Sequence, residues 1–419
     1  MRNSHSKDGN MKRPPAVVMP ADRPASLGIA RSLGRRGIPV YGIDADPCAI
    51  GMASRYIKPC PLPGADASDE SRLQFLIDLG KKLNEKAVLY PVSDDAVMLC
   101  SEHRDELQKY YLFVMPNHDT ISDLLAKDGL HRMAQTHNIP DPQMFQVNSR
   151  DELEALSGSI PFPVILKPVF SPSWLRPEII SLLRDDPLSG PPKVALCRTH
   201  DELLRIYEEL SVYDSHMIVQ EVIPGEDERL GYLCFYLNRE STPLALFAGE
   251  KLRLLPVGFG SASCVRSFRD PVLEELSLKL LAGTQYQGLG GIEFKRDARD
   301  GSYKLIEFNA RLGMWDSYGA RCGVDIPYIS YRDALGDSPE PQHQYRNGVF
   351  WIDFQRDVRA FLLYRKKGLL SFNRWLKSFF VEKEWAVYSR DDCKPAFMAL
   401  LKLFIRPWNA IRKKLNFPN

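Results

Sequence analysis

Two glutamates in neighbouring apolar runs carry the clearest chemical signal of this chain. The runs, Gly291 to Lys295 and Tyr303 to Asn309, flank Arg299-Asp300-Gly301, and turn residues between alternating segments predict a β-hairpin. A turn centred on Asp300 sets Glu293 directly across from Glu307. Asn309, two residues further along, faces the same side. Like charges in direct opposition destabilise a strand pair, so the arrangement makes most sense with a cation between them. An oxygen-only ligand set favours magnesium over zinc. A slip of one residue would instead leave the carboxylates solvated, and the hairpin by itself leaves both arrangements open.

Other chemistries find less support. The eight cysteines are scattered without a C-x-x-C pair, and no histidine stands at zinc-finger spacing. They read as reduced thiols of a cytoplasmic protein. The eight histidines form no H-E-x-x-H set and there is no G-x-S-x-G elbow, so hydrolase chemistry gains nothing. Lys+Arg 55 against Asp+Glu 53 leaves +2, which gives nucleic acid no footing as a partner. The N-terminus lacks an apolar leader core and no apolar run is long enough to span a bilayer, so the expectation is a protein neither secreted nor transmembrane. With 44% hydrophobic and 26% charged residues, the composition is that of a globular protein with a substantial core.

The elements that must position the hairpin follow in order. Residues 1–13 are polar and read as disordered. Residues 14–115 alternate strand and helix: Ala16 to Met19, a helix through Leu27 and Leu33, a strand from Ile38 to Ile43 ending at Asp44 and Asp46, a helix Ser71 to Leu83, and strands Ala87 to Pro91 and Tyr111 to Met115. That is a parallel α/β domain. Its first loop, MPADRPASLG, lacks the glycine pattern of a dinucleotide cradle. Ser93-Asp94-Asp95 follows a strand at the sheet edge where such folds place ligands, and reads equally as a helix cap. Residues 116–145 read as a helical connector capped by Asp119 or Ser122. Mixed strands and helices up to about residue 335 suggest an α+β region, and residues 336–419 a mostly helical extension. There is no internal repeat.

The hairpin segments GIEFKRD and LIEFNAR resemble the metal-binding end of the ATP-grasp superfamily. Upstream, LLAKDGLHRMAQTHNIPDP resembles the segment of its first nucleotide lysine, PFPVILKPV the strand of its second, and HMIVQEVIPGED the hinge between its two ATP-binding lobes. No one segment is specific; four in this order are. The resemblance spans about residues 120 to 335, with the hinge near 216–224 inside an ATP-grasp domain of 116–335 and a preceding α/β domain at 14–115. It implies that Lys127 and Lys167 contact phosphate, and that Gln220 faces the adenine amino group. The backbones of Glu221 and Ile223 would pair with the adenine edge, and Asp227, or failing it Glu228, would hold the ribose. Mg2+, with Mn2+ able to substitute, would sit on Glu293, Glu307 and Asn309. GEKLRLLPVGFGSAS further resembles a subgroup of predicted carboxylate-amine ligases, in which Lys251 and Arg253 reach phosphate or the substrate carboxylate, while Arg311 suits an acyl-phosphate transition state.

The implied reaction is two-step: ATP phosphorylates a small carboxylate, then an amine attacks the acyl phosphate to give an amide, ADP and phosphate. Bringing together oxygens that already carry charge demands neutralisation and alignment, which lysines, Arg311 and magnesium supply. A carboxylase of the same superfamily, or a weakened nucleotide-binding regulatory subunit, are the alternatives. Two departures bear on them. The stretch after the second lysine, VFSPSWLRPEIISLLRDDPLSGPPK, has one glycine, Gly190, where the family carries a glycine-rich phosphate loop, leaving Ser171, Ser173 or Arg176 as donors. The usual Asn-Pro-Arg is Asn309-Ala310-Arg311. Finally, residues 397–417 mix aliphatic and aromatic side chains with basic ones; this suits peripheral contact with an anionic membrane, but Pro407 interrupts the segment and core packing is the preferred reading.

Overall fold

The computed structural model describes residues 13–402 except 63, 65–67, 157, 160, 170–173, 175, 184–185, 187 and 189–192. Ser171, Ser173, Gly190 and the tail from 403 onward therefore lie outside the described residues. No helix among those described is long and apolar enough to cross a membrane. The chain divides into two units, one of Met1–Phe113, Tyr331–Ser338 and Val387–Asn419, the other of Val114–Ser330 and Pro339–Ala386.

In the first unit, β1 (Ala16–Met19), β2 (Val40–Asp44), β3 (Ile57–Pro61), β4 (Ala87–Pro91) and β5 (Tyr111–Leu112) form a parallel sheet in the order β3-β2-β1-β4-β5. β1 is wholly buried, as a strand covered on both faces must be, and its apolar run reads accordingly. β3 escapes the sequence pattern because it carries Pro59 and Pro61; an edge strand tolerates prolines that a central one would not. Ser93 accepts a hydrogen bond from the Ala96 N–H at 3.2 Å, making Ser93-Asp94-Asp95 the capped start of a helix.

The returning C-terminal segment is fastened within this unit by ion pairs. Asp392, fully buried, accepts from Arg31 Nε (3.0 Å), Ser54 Oγ (2.8 Å) and the Arg55 N–H (3.0 Å). Asp391 takes both prongs of Arg35 at 2.9 Å and the Tyr56 hydroxyl at 2.7 Å. In the described start of the tail, Phe397 and Leu400 are exposed and Lys402 pairs with Asp46 at 2.7 Å.

The second unit holds two sheets. The smaller is antiparallel in the order β6-β9-β7-β8, from β6 (Met144–Val147), β7 (Val164–Pro168), β8 (Ala195–Cys197) and β9 (Met217–Glu221), over a core that includes Leu166, Trp174, Leu203 and Val219. The larger runs β14-β13-β10-β11-β12-β15-β16, from β10 (Leu230–Leu237), β11 (Pro243–Leu255), β12 (Ser261–Ser267), β13 (Gly288–Arg296), β14 (Tyr303–Asn309), β15 (Phe350–Ile352) and β16 (Lys383–Trp385). Residues 336–419 thus do not form one appendage. β15 pairs with β12 and extends the large sheet, while Val387 onward belongs to the first unit. The connector is two helices, His118–Leu125 and Lys127–Thr136, and the first is capped by Asn117, whose Oδ1 accepts the Thr120 N–H at 2.8 Å, rather than by Asp119 or Ser122.

Candidate active site

The β13–β14 hairpin sets Glu293 opposite Glu307 and Gly291 opposite Asn309. Nearer the turn the register changes, Phe294 facing Leu305, so a bulge absorbs Ile306. Without that extra residue the connection, 297–302, would bring Glu293 against Ile306 and put the carboxylates on different faces. Arg299 ties the tip to the hinge strand, donating to Glu221 at 2.6 Å and gripping Asp297 in the same turn.

Next across the sheet from Glu307 and Glu293 come Tyr232 on β10 and Gly249 on β11, forming one row. Gly291 lies on the same face, where a Cβ would fall 2.0 Å from the Tyr232 hydroxyl, so only glycine fits. Lys251 reaches back over the Tyr232 ring, its nitrogen 5.8 Å from the centroid, to pair with buried Glu293.

Arg253 does something else. The β11–β12 pairing is irregular on both sides of it, which breaks the alternation that would put residues 251 and 253 on one face. Its buried guanidinium takes a bidentate grip on Asp357 (2.7 and 3.0 Å) and donates to Ser378. Ser263 and Trp375 Nε1 complete the shell of Asp357 at 2.9 and 2.8 Å. Arg253, expected to reach phosphate or substrate, instead commits its hydrogen bonds here to bracing the large sheet against the helix Phe354–Lys366.

The small sheet contributes Lys167, and the second connector helix contributes Lys127. Lys167, central on β7, faces Ile218, and Gln220 is its diagonal neighbour on the same face; Lys167 Nζ donates to Gln220 Oε1. Lys127 opens its helix and donates to the Pro168 carbonyl at 2.7 Å. The turn before it packs so closely that a Cβ on Gly129 would meet the Asp123 carbonyl oxygen at 2.3 Å. Burial lowers Lys127 to about 8, with Glu307 raising it and Lys193 lowering it further. Burial lowers Lys167 to about 7, assisted by Lys127 and opposed by Glu307.

Glu307 is exposed to solvent, with the surrounding protein dense enough to act on its charge. Burial pushes its carboxyl up, but Lys193, Lys251, Arg311 and a hydrogen bond from Asn309 outweigh that and hold it below the usual carboxylate range. Lys127, Lys167, Lys193, Lys251, Arg311, Glu293, Glu307 and Asn309 are therefore electrostatic neighbours gathered from both sheets of this unit. A pair of opposed carboxylates, one held ionised, with an amide oxygen beside them, fits a hard divalent cation. Among the described residues no three His, Cys, Asp or Glu side chains assemble, so the donor set is not that of a closed zinc site.

Lys193, exposed just ahead of β8, is a member that sequence reasoning missed; its one legible sign is a lysine directly after a Pro-Pro pair. Asp316 is another. It is fully buried, Oδ2 accepts the Gly313 N–H at 2.6 Å, and burial raises it to about 6 against that bond, Cys234, Arg311 and Lys251. Asp316 Oδ1 and the Tyr232 hydroxyl find no partner among the described residues.

At the hinge, the Glu221 N–H is held by the Gln143 carbonyl at 2.9 Å and its carboxylate by Arg299, while Ile223 has a buried side chain. Asp227 Oδ2 accepts from the Gly258 N–H at 3.1 Å and from the Tyr364 hydroxyl. Glu228 is exposed and paired with Arg374 at 2.7 Å. Arg176 is exposed.

Two antiparallel-rich sheets in one unit, with phosphate-suited Lys167 on the smaller and an acidic hairpin on the larger, are the architecture of the ATP-grasp fold, and the chain shares that fold with the solved structures similar to it. Among curated proteins it is similar to the D-aspartate ligase of Enterococcus faecium (strain Aus0004), 24% identical over 389 residues, which cover 86% of this chain and 89% of that one. Among solved structures it is similar to the L-amino acid ligase from Bacillus licheniformis, with TM-score 0.55 and 13% identity over 78% of this chain and 76% of that one. It is also similar to a biotin carboxylase from Campylobacter jejuni, with TM-score 0.58 and 16% identity over 82% and 75%. No protein-family model matches the chain.

Proposed function

We propose that the protein is an ATP-dependent carboxylate-amine ligase that joins an amino-acid carboxylate to an amine. The γ-phosphoryl group passes to the carboxylate, the amine displaces phosphate from the acyl phosphate, and the amide, ADP and phosphate leave. The observation that carries this reading is the convergence of Lys127, Lys167, Lys193, Lys251 and Arg311 on Glu293, Glu307 and Asn309. Five cations around two carboxylates suit a polyphosphate and a substrate carboxylate together.

In this reading Lys127 and Lys167 bind phosphate oxygens, and phosphate would restore the full charge that burial withholds from them. Lys193 serves as a further phosphate contact in place of loop amides. Lys251 and Arg311 neutralise the reacting carboxyl and acyl phosphate. Glu293, Glu307 and Asn309 would hold magnesium, which when bound neutralises and aligns phosphate oxygens. Gln220 and the backbones of Glu221 and Ile223 face the base, and Asp227 rather than Glu228 the ribose, because Glu228 is already matched to Arg374. The similarity to a D-aspartate ligase over 86% of this chain makes a dicarboxylic amino acid the first substrate to try. Eight free cysteines are consistent with work in the reducing cytoplasm.

Magnesium-dependent ADP release with D- and L-aspartate and other amino acids, with and without amine acceptors and with bicarbonate as an alternative substrate, tests the proposal. Hydroxylamine in the same assay traps an acyl phosphate as hydroxamate. ADP and hydroxamate that need an amino acid, and disappear in Glu307→Gln, support the ligase. ADP release that needs bicarbonate instead favours the carboxylase, and nucleotide binding without turnover favours the regulatory subunit.

A further inference from the structure

The helix Phe354–Lys366 lies beyond every segment that carried the sequence resemblance, yet it places a hydroxyl on Asp227. Tyr364 is buried in a cluster with Leu255, Phe361 and Leu370. Its oxygen accepts the Leu254 N–H at 3.0 Å, so its one proton is free to point at Asp227 Oδ2. Burial first, and then the adjacent Asp227 carboxylate, push the phenol far above its ordinary value, which keeps it a donor. The Gly258 N–H donates to the same Oδ2 at 3.1 Å. Two donors on one carboxylate oxygen fix the plane of the group, and Oδ1 accepts no hydrogen bond from the described residues.

We infer that Tyr364 is a positioning residue for sugar recognition: it locks Asp227 Oδ2 so that Oδ1 is presented to the vicinal hydroxyls of the nucleotide ribose. The inference rests on the proposed role of Asp227 in the ATP site. An acceptor held in place before binding meets a diol without the entropy cost of freezing its rotor. Discrimination against a sugar lacking hydroxyls then depends on a residue that touches no part of the nucleotide.

Equilibrium binding of Mg-ATP and Mg-2′,3′-dideoxy-ATP to the full chain, by calorimetry, tests it in four proteins: wild type, Tyr364→Phe, Asp227→Ala and the double variant. The expected result is that Tyr364→Phe weakens ATP roughly tenfold and leaves dideoxy-ATP unchanged. In the Asp227→Ala background the same change should add nothing to the sugar preference. An equal loss for both nucleotides in Tyr364→Phe assigns the tyrosine to packing alone and overturns the inference. So does an undiminished preference for ATP in Tyr364→Phe when Asp227→Ala has lost it. A preference that survives Asp227→Ala overturns the ribose role of Asp227 itself, and the inference with it. Urea denaturation of each variant separates a folding defect, since Tyr364→Phe also strips the Leu254 N–H of its partner.

Discussion

Charge is concentrated in two places within the second unit, and the two are handled in opposite ways. Around Asp357, one arginine, one serine and one indole N–H satisfy a buried carboxylate with bonds of 2.7 to 3.0 Å. Around Glu307, lysines and Arg311 outnumber the carboxylates, and burial draws Lys127 and Lys167 down to about 8 and about 7. The first arrangement is complete in itself; the second is complete only with an added anion. Lys251 and Arg253, separated by a single leucine, fall on opposite sides of this divide. Charge balance and hydrogen-bond saturation, more than residue type, tell a strut from a site.

The strongest way to break the comparison is to remove a member of each. Lys167→Ala and Glu307→Gln should each lower turnover by about 100-fold or more, as removal of one preorganised charge does elsewhere, with little change in the urea midpoint. Near-normal ADP release in either would refute the site. Arg253→Met should do the reverse. It leaves Asp357 buried and unpaired, costs about 3–5 kcal/mol of stability by urea denaturation, and spares turnover per folded molecule. A variant that folds normally and loses turnover would return Arg253 to the site.

The pH dependence sharpens the contrast. Both lysines have folded values below 10.5, so the unfolded chain binds more protons across the interval above about 7. Their burial cost is fully present below that interval and is relieved as pH rises through it. Bound phosphate would raise both values. ATP binding should therefore take up protons near pH 8, and ATP affinity should fall several-fold as pH climbs from about 7 to about 9. Calorimetry in buffers of different ionisation enthalpy measures the uptake, and proton release on binding would contradict it. The smallest effect is expected at the exposed Arg35–Asp391 pair in the first unit, where Arg35→Ala should cost no more than about 1 kcal/mol. A larger loss would mean that this strap is as integral as the Asp357 cluster.

Much of the plan is legible in the chain itself. Periodicity gave β1 and β4 with their observed ends and located the acidic hairpin, because strands buried on both faces or alternating about a turn leave a strong pattern. Lys127, Lys167 and Glu307 could be singled out because chemistry fixes the residue types and the resemblance fixes their order. Lys193, Asp316 and Tyr364 left no such mark. Their roles come from contacts across long stretches of chain, Tyr364 to Asp227 among them.

What the sequence by itself determined is the inventory: which side chains can carry phosphate, hold a cation and form an alternating hairpin, all properties local to a few residues. What only the tertiary structure decided is orientation. A bulge at Ile306 brings two glutamates face to face, and irregular pairing about Arg253 turns that arginine from the cleft to Asp357. A shift of one residue in strand register reverses a side chain's face, and register is set by packing between distant segments.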